Sequence, residues 1–322
     1  MVAAMELKIS RRNILAGGAA LLSQALPIHA ADGTAAKPKL KVSLFSKHLQ
    51  FLNEEELAKT VADIGFDSID LTVRKGGHVE PQRVQQDLPA LVKIIRQHGL
   101  DVTMITTDTV DAETPYLEDI LKTMATVGIP NYRWWNLYYT LDKPFGPQLE
   151  QMKTRVAKLA ALNSRYKVRA LYHVDAGVGR VGAAVLDLYT LMKEADPKAI
   201  GVNYDLHHAV EAGGSGAWIN GFWLLRPYIY GVAIKDFEWA KDAKGTWRPQ
   251  PKPLGEGGVP LQQFCTILAK SDFSGLVEIH YEYIMGGETD TKGTGIVDRQ
   301  ALYSGMKHDL TKVRELLVQA HL

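Results

Sequence analysis

From Lys39 onward the sequence alternates between short β-branched or apolar segments and longer amphipathic ones, and this alternation constrains the fold more than any other feature. Most of the short segments begin about 30 residues apart, the length of one strand-helix unit. Eight strands are predicted, at Lys41–Phe45, Ser68–Val73, Asp101–Thr106, Tyr132–Leu137, Val168–His173, Ile200–Leu206, Ile229–Lys235 and Leu276–Tyr281. Eight such units favour a closed parallel barrel over an open doubly wound sheet. We therefore predict an α/β fold in which residues 39–322 form a single (β/α)₈ barrel.

The segments between the strands carry helix start and stop signals. Asn53 and Glu56 have the spacing of a capping box, and Gly65 is placed to end the same helix. Apolar residues recur at helical spacing over residues 81–98. A final helix at residues 299–320 is predicted to complete the ring.

One unit departs from the regular spacing, between the seventh and eighth strands. Residues 238–260 contain Trp239, Trp247 and several prolines and glycines. Loops that follow strands lie on the face where barrel active sites are built, so this insertion is a candidate lid or substrate platform. An ordinary surface excursion that packs its own tryptophans is an equal alternative.

The N-terminus has the features of an export signal. Arg11 and Arg12 precede an apolar, Gly/Ala-rich stretch at residues 14–26, and small residues follow where cleavage would occur. We predict a signal peptide at 1–31 read by the twin-arginine export machinery, a short linker at 32–38, and a periplasmic location. About 13 apolar residues are fewer than the roughly 20 needed to span a bilayer, so no stable membrane anchor is expected.

Composition excludes some classes of protein. Cys265 is the single cysteine, so an internal disulfide is impossible, and a sequence that is 46% hydrophobic must supply its stability from the core. Loss of residues 1–31 changes the formal charge from +1 to −1, because three basic residues and one acidic residue are removed. A near-neutral chain argues against a nucleic-acid partner. The sequence does not indicate an oligomeric state.

Polar side chains recur at the C-terminal ends of the predicted strands, where barrel enzymes place their active sites. These residues are Lys47, His48, Asp70, Arg74, His78, Thr107, Asp108, Arg133, Asn136, His173, Asp175, Asp205, His207, His208, Lys235, Asp236, Glu278, His280 and Glu282. Because such groups are costly inside an apolar interior, their recurrence indicates a polar pocket ringed by ionisable residues.

Three of these residues form a candidate metal site. His173, Asp205 and His280 offer nitrogen and oxygen ligands from the fifth, sixth and eighth strands, and Glu282 lies two residues beyond on the same face. A His/carboxylate set without a thiolate suits one divalent ion, Mn²⁺, Co²⁺, Zn²⁺ or Mg²⁺. Hydrogen-bonded structural roles for the histidines are the alternative.

Lys235 interrupts an apolar strand and is a candidate catalytic residue. Burial would lower its pKa, and a carboxylate partner would raise it. The side chain is suited either to acid/base work or to stabilising a developing enolate oxygen. The alternative is a structural salt bridge to Asp236, Asp205 or Glu282.

Short segments at the strand ends resemble the xylose-isomerase-like sugar phosphate isomerase/epimerase superfamily over essentially the whole of residues 39–320. They are Phe45–Leu49, Ile69–Arg74 with Gly76–His78, Ala170–His173, Val202–His208, Ile234–Phe237, Pro253–Gly257 and Ile279–Tyr283. The resemblance implies a TIM barrel that binds one divalent metal through Glu, Asp, His and Glu, and a reaction through an enediolate. The superfamily also includes barrel-type apurinic endonucleases, but this sequence lacks most of the zinc ligands of those enzymes.

Only part of that ligand set is present. The metal-binding Asp corresponds to Asp205, and His208 matches a substrate-contacting histidine. Tyr172 is expected where the first Glu belongs, Ala233 where the His belongs and His280 where the last Glu belongs. Either the metal has moved onto His173, Asp205 and His280, with or without Glu282 as a further ligand, or no metal is used.

The leading hypothesis is an enzyme that removes a proton next to the carbonyl of a free sugar or keto-sugar, as isomerases, epimerases and lyases do. Catalysis is assigned to Lys235, Glu282 and His208, and substrate binding to Lys47, His78, Arg133, Trp239 and Glu256. The rival hypothesis is a non-catalytic periplasmic sugar-binding barrel, in which tryptophans of the insertion stack on a sugar ring.

Overall fold

The computed structural model describes residues 40–285 and 298–322. The signal peptide predicted at 1–31 and the linker predicted at 32–38 lie outside the described residues. Within the described ranges, no helix combines the length and the hydropathy that are needed to cross a membrane.

Eight parallel strands close into a barrel, as predicted. The described strands are β1 (Val42–Phe45), β2 (Ser68–Thr72), β3 (Asp101–Thr106), β4 (Asn131–Trp134), β5 (Arg169–His173), β6 (Ile200–Asp205), β7 (Ile229–Ile234), β8 (Asp236–Lys241), β9 (Trp247–Lys252) and β10 (Leu276–Ile279). All except β8 and β9 belong to the barrel, in which each strand pairs with its neighbours in chain order. The ring closes between β10 and β1, where Val277 lies beside Val42.

Helices cover the outside of the barrel. They are α1 (Glu54–Ile64), α2 (Val84–Gln97), α3 (Leu117–Val127), α4 (Phe145–Tyr166), α5 (Leu186–Met192), α6 (Leu206–Leu225), α7 (Leu261–Lys270) and α8 (Arg299–Gln319). The predicted capping box is present, since Asn53 accepts a hydrogen bond from the backbone N–H of Glu56 and the Glu56 carboxylate accepts one from Asn53. Gly65 ends α1 at φ 103°, a conformation that favours glycine.

The period of two along each strand separates an apolar outer face from a polar inner face. In β6, for example, Val202 and Tyr204 are buried beneath the helices, whereas Asn203 and Asp205, which alternate with them, face the barrel interior. Glycine makes room for this polar interior: a Cβ atom at Gly231 would lie 2.9 Å from Asn203 Oδ1. The barrel interior is therefore partly built from side chains that need partners.

The insertion between β7 and β10 forms an antiparallel hairpin, β8–β9, rather than an irregular loop. Phe237 and Trp239 lie on one face of it, opposite Pro251 and Pro249. Phe237 is buried, but Trp239 is 51% exposed and Trp247 is 59% exposed. The two tryptophans are thus largely exposed and do not bury each other, unlike those of a surface loop that packs on its own side chains.

Asp236 fixes the base of this hairpin. Its buried carboxylate accepts four backbone hydrogen bonds of 2.9–3.1 Å, from Phe237, Gly255, Gly257 and Val259. A Cβ atom at Gly257 would collide with the Asp236 carboxylate, so the approach requires glycine. One charged side chain therefore holds both ends of the insertion.

Replacing this carboxylate is expected to loosen the hairpin. Asp236→Ala should lower the free energy of unfolding by about 3 kcal/mol, because buried N–H groups lose a charged acceptor. Urea unfolding measures this loss, and limited trypsin digestion should reveal faster cleavage at Lys241 and Lys244. Glu238→Gln is the matched control, since it breaks only the half-exposed ion pair with Lys252 and should cost less than about 1 kcal/mol. Equal stability of the two variants would contradict the anchoring role.

Candidate functional site

The three predicted metal ligands meet at the C-terminal end of the barrel. His173, Asp205 and His280 place their ligand atoms within 4.8 Å of one another, and all are buried. His173 Nε2 lies 3.2 Å from Asp205 Oδ2, and the two imidazole rings stack with centroids 5.2 Å apart. Asp205 Oδ1 caps α6 by accepting from His208 N at 3.1 Å, so the turn into the helix orients the carboxylate.

Lys235 joins this group through its ammonium. Its Nζ atom lies 3.0 Å from Asp205 Oδ2, 2.7 Å from Glu282 Oε1 and 2.8 Å from His208 Nε2. The side chain is only 3% exposed, because it follows β7 directly and continues its inward-facing row. The predicted catalytic residues Lys235, Glu282 and His208 are therefore in direct contact. We call Lys235, Glu282, His208 and Asp205 the lysine cluster.

The charges of the lysine cluster are mutually stabilised. Burial alone would lower the pKa of Lys235, but the carboxylates of Asp205 and Glu282 outweigh it and raise the pKa. Burial likewise opposes ionisation of Glu282, yet Lys235 and His208 lower its pKa to about 2. Asp205 also has its pKa lowered well below the usual range by Lys235, against the effect of burial. At neutral pH the cluster thus holds an ammonium and ionised carboxylates.

His173 and His280 are neutral in this setting. Burial and, to a smaller extent, the charge of Arg133 lower the pKa of His173 to about 3. Burial also lowers the pKa of His280 well below its usual value, with smaller effects from His173 and Lys235. A neutral imidazole keeps a free lone pair, which is the form that ligates a metal ion.

A second layer of charge lies deeper in the barrel. Asp70 and Glu278 are fully buried and together with His280 form another group of potential ligands within 4.8 Å. Thr106 Oγ1 donates to Asp70 Oδ2 at 2.7 Å, and Asn203 Nδ2 donates to Glu278 Oε2 at 2.9 Å. Burial raises the pKa of Asp70, and burial together with the charge of Asp70 raises that of Glu278. The two carboxyl groups therefore retain a proton where isolated ones would ionise.

Side chains at the start of α6 extend the cluster outward. Glu211 lies 3.5 Å from His207 Nε2 and 3.4 Å from His208 Nδ1, as the helical spacing of three and four residues allows. His208 Nε2 is also 3.4 Å from Asp175, which pairs with Arg180. His208 is thus held on both ring nitrogens, which fixes its orientation toward Lys235.

The predicted substrate-binding residues are not all gathered at this site. Lys47 is half-buried beside the lysine cluster, where its pKa is lowered by burial and raised in part by Glu282. Arg133 is 9% exposed and carries its guanidinium 5.3 Å from the Trp135 ring. His78 has a structural contact, since its ring bonds to the backbone oxygen of Ser46 at 3.2 Å. Glu256 is exposed in the turn after the hairpin, and its side chain has no ion pair among the described residues.

Trp239 reaches the site only indirectly. Its ring packs edge-on against Phe237 at 5.7 Å, and Phe237 stacks on His207 at 4.4 Å. Tyr172, expected at a ligand position, points into the barrel wall, where its hydroxyl donates to Val181 O at 2.8 Å. The adjacent His173 takes the inward place at the end of β5. Tyr172 and His173 therefore lie on opposite sides of the sheet, as neighbours in a strand do, and His173 is the one that joins the predicted metal ligands.

Two contributors were missed in the sequence. Asn203 shares the inward face with Asp205, a relation that the alternation in β6 reveals. Glu211 is recognisable by its spacing from His207 and His208 on a helix. Both residues fix the orientation of other side chains.

The buried acid pair yields a pH-dependent prediction. An acid whose pKa is raised by folding destabilises the fold as the pH climbs above the pKa of the unfolded chain. Glu278→Gln removes the like charge beside Asp70 and can still accept from Asn203. In chelator-treated protein we expect this variant to exceed the parent in unfolding free energy by about 1–3 kcal/mol at pH 8, with little difference at pH 4. Urea titrations at both pH values test this, and a loss of stability at pH 8 would contradict it.

Comparisons with known proteins agree with this architecture. A 3-keto-D-glucoside 4-epimerase from E. coli superposes with a TM-score of 0.64 at 13% identity, covering 86% of this chain and 100% of its own. D-psicose 3-epimerase from Clostridium cellulolyticum H10, solved with D-tagatose, gives 0.64 at 14% identity, covering 86% and 99%. A xylose isomerase-like TIM barrel protein from Mycobacterium smegmatis, solved in complex with magnesium, gives 0.63 at 15% identity, covering 88% and 98%. At these identities the likeness concerns the fold.

The sequence itself carries a family signature, although no curated protein matches it. Residues 58–296 match the family described as xylose isomerase-like TIM barrel, which is more than half of the chain. The match spans the barrel from α1 to beyond β10 and includes the lysine cluster. The chain therefore belongs to the xylose isomerase-like TIM barrel family.

Proposed function

We propose that this protein is an isomerase or epimerase that removes a proton next to the carbonyl of a free sugar or keto-sugar. One observation carries the proposal: the buried ammonium of Lys235 lies 2.7 Å from the Glu282 carboxylate and 2.8 Å from the His208 imidazole, beside three potential metal ligands. Proton abstraction from carbon requires a cation where negative charge develops and a nearby group that accepts the proton. The names of two similar barrels, both sugar epimerases, support the same class of chemistry.

Each residue of the lysine cluster has a distinct task in this reaction. The Lys235 ammonium, whose pKa is raised, faces the carbonyl oxygen and stabilises the negative charge that forms on it. The ionised Glu282, 40% exposed at its side chain, is positioned to accept the proton from carbon. His208 is held by Glu211 and Asp175 and orients the substrate hydroxyls together with Arg133. Return of the proton to another atom or face gives an isomer or an epimer, and loss of a leaving group gives a lyase reaction.

The three ligands His173, Asp205 and His280 fit one divalent cation. The two imidazoles are neutral, and Asp205 Oδ2 lies 3.2 Å from His173 Nε2, beside the third ligand His280. A divalent ion bound there supplies a Lewis acid for oxygen atoms on adjacent carbons of a sugar. Mn²⁺, Co²⁺, Zn²⁺ and Mg²⁺ all suit the donor set, and one barrel of similar fold was solved with magnesium.

The proposed location follows from the N-terminus. Arg11 and Arg12 with the apolar stretch that follows indicate twin-arginine export, so we propose that the enzyme acts on sugars in the periplasm. Export of folded protein by this route suits an enzyme that acquires its metal in the cytoplasm. Cells that express the full chain should release the mature barrel in the periplasmic fraction.

Deuterium exchange tests the reaction directly. In D₂O the protein should incorporate label at the carbon next to the carbonyl of a keto-sugar, as followed by NMR. Glu282→Gln and Lys235→Gln should each lower the exchange rate by at least about 100-fold. Glu315→Gln on the outer surface of α8 is the control and should exchange at the parent rate.

The products separate the possible outcomes. Label in an isomer or epimer supports the proposal, whereas loss of water from the labelled sugar favours a lyase. Sugar binding without any exchange would favour the non-catalytic alternative, in which the exposed tryptophans of the hairpin contribute to binding. Full exchange by both site variants would show that Lys235 and Glu282 are not the catalytic residues.

Metal content provides a separate prediction. Protein purified without a chelating tag should contain about one divalent metal per chain, measured by elemental analysis. Asp205→Asn should retain the fold by circular dichroism but hold less than about a tenth of the metal, because it loses the anionic ligand. Weakly held Mg²⁺ requires titration by calorimetry. Protein that neither contains nor takes up a divalent ion would contradict the assigned ligands.

A further inference from the structure

Three cationic side chains at the mouth of the barrel have no anionic partner among the described residues. Lys47 follows β1, Arg74 follows β2, and Arg133 lies in β4. No carboxylate of the described chain comes within ion-pair distance of any of them, whereas Lys235 nearby has two. We call Lys47, Arg74 and Arg133 the cationic arc.

The cationic arc borders the lysine cluster. The Arg74 guanidinium lies 5.9 Å from the Phe45 ring centroid, and that ring packs 4.6 Å from the ring of His280. Arg133 is 9% exposed, and its Nε atom is buried without a hydrogen-bond partner. Its charge contributes to the lowered pKa of His173, which requires the two side chains to be close. The arc therefore faces the proposed reaction site from the β1–β4 side.

The mutual repulsion of these cations makes the arrangement costly without a ligand. The pKa of Lys47 is lowered by burial and then by the charges of Arg74, Lys235 and Arg133, although Glu282 opposes this. A buried arginine without an ion-pair partner destabilises a protein. The nearby carboxylates have other contacts, since Asp205 and Glu282 pair with Lys235, Asp70 accepts from Thr106, and Glu278 accepts from Asn203.

We propose that the cationic arc binds a carboxylate on the substrate, so that the sugar is acidic, a hexuronate or a keto-aldonate. This inference rests on the proposed function, because it names the substrate class of the same site. The guanidinium groups of Arg74 and Arg133 present the planar pair of N–H donors that matches a carboxylate, and Lys47 adds a flexible third cation.

A carboxylate fits this surface better than a phosphate does. Phosphate sites commonly use free backbone N–H groups, in a glycine-rich loop or at a helix N-terminus. In the turn after β2 those groups are already bonded: Gly76 N donates to Glu80 Oε1, Gly77 N to Arg74 O, and His78 N to Thr72 Oγ1. Three N–H groups of this turn are thus engaged, and the side-chain cations of the cationic arc are the groups that we expect to contact an anion there.

Matched pairs of sugars test the inference by binding. Calorimetry at low ionic strength compares D-glucuronate, D-galacturonate and D-mannuronate with D-glucose, D-galactose and D-mannose, and adds D-glucose 6-phosphate. At least one uronate should bind about 10-fold or more tightly than its neutral partner, because charge-assisted hydrogen bonds are roughly twice as strong as neutral ones. It should also bind more tightly than the phosphate, because the backbone N–H groups of Gly76, Gly77 and His78 are already bonded.

Variants assign the preference to the arc. Lys47→Met and Arg74→Met should each weaken binding of the preferred uronate by about 10-fold, and weaken binding of the matched neutral sugar by a clearly smaller factor. Arg133→Lys keeps the charge but loses the planar donor pair, and should retain part of the preference. Lys47 and Arg74 are half-buried, so their variants test the preference even if substitution of the buried Arg133 impairs folding. Lys93→Met on the exposed side of α2 is the control and should bind as the parent does.

The outcomes separate this inference from the proposed function. A uronate that binds selectively without deuterium exchange would retain the anion site and overturn the proposed reaction. Exchange on neutral sugars with no advantage for any uronate would retain the reaction and overturn the acidic substrate. Preferential binding of the phosphate, or unchanged uronate binding in Lys47→Met and Arg74→Met, would overturn the carboxylate assignment.

Discussion

The buried contact between Lys235 and Asp205 is the interaction on which the rest of the site depends. The two atoms lie 3.0 Å apart, and both side chains are almost completely withdrawn from solvent. Removing either partner leaves the other buried ion with fewer compensating charges, which destabilises the site. Asp205 also caps α6 and lies beside His173, so the same carboxylate joins the lysine cluster, the metal ligands and the start of a helix.

The barrel can hold this much charge because its strands alternate small and polar residues on the inner face. Gly201 and Gly231 leave space, and Asn203 fills it with an amide that bonds to Glu278. Thr106 satisfies one oxygen of Asp70 in the same way. Thr106 and Asn203 are neutral and cancel no charge. The pair Asp70 and Glu278 is partly protonated instead, because burial raises the pKa of both carboxyl groups. The polar interior below the site thus stays near neutrality while the mouth above it is positive.

Most of the fold, and part of the site, could be predicted from the sequence. The repeated spacing of strand and helix signals determined the barrel, because each unit must bury the same kind of face. Strand ends also identified Lys235, Glu282 and His208, which are in contact. At β5 the polar residues Tyr172 and His173 are adjacent, and the sequence prediction of His173 as the inward one agrees with its place beside Asp205 and His280. Contacts between distant residues, such as Asp70 with Glu278, have no local signal, and neither does the anchoring of the hairpin by Asp236.

The arrangement of the lysine cluster also explains how a metal site and a catalytic ammonium can share one carboxylate. Lys235 has Glu282 and His208 within 2.8 Å in addition to Asp205, so it can leave Asp205 Oδ2 without losing all of its partners. The oxygen then becomes available as a ligand beside two neutral imidazoles. A movement of this kind would bring the ammonium toward the open side of the site, where Glu282 is partly exposed and a substrate carbonyl would lie. In the proposed reaction, the redundant partners of Lys235 would therefore allow cation binding and proton transfer to use the same buried carboxylate.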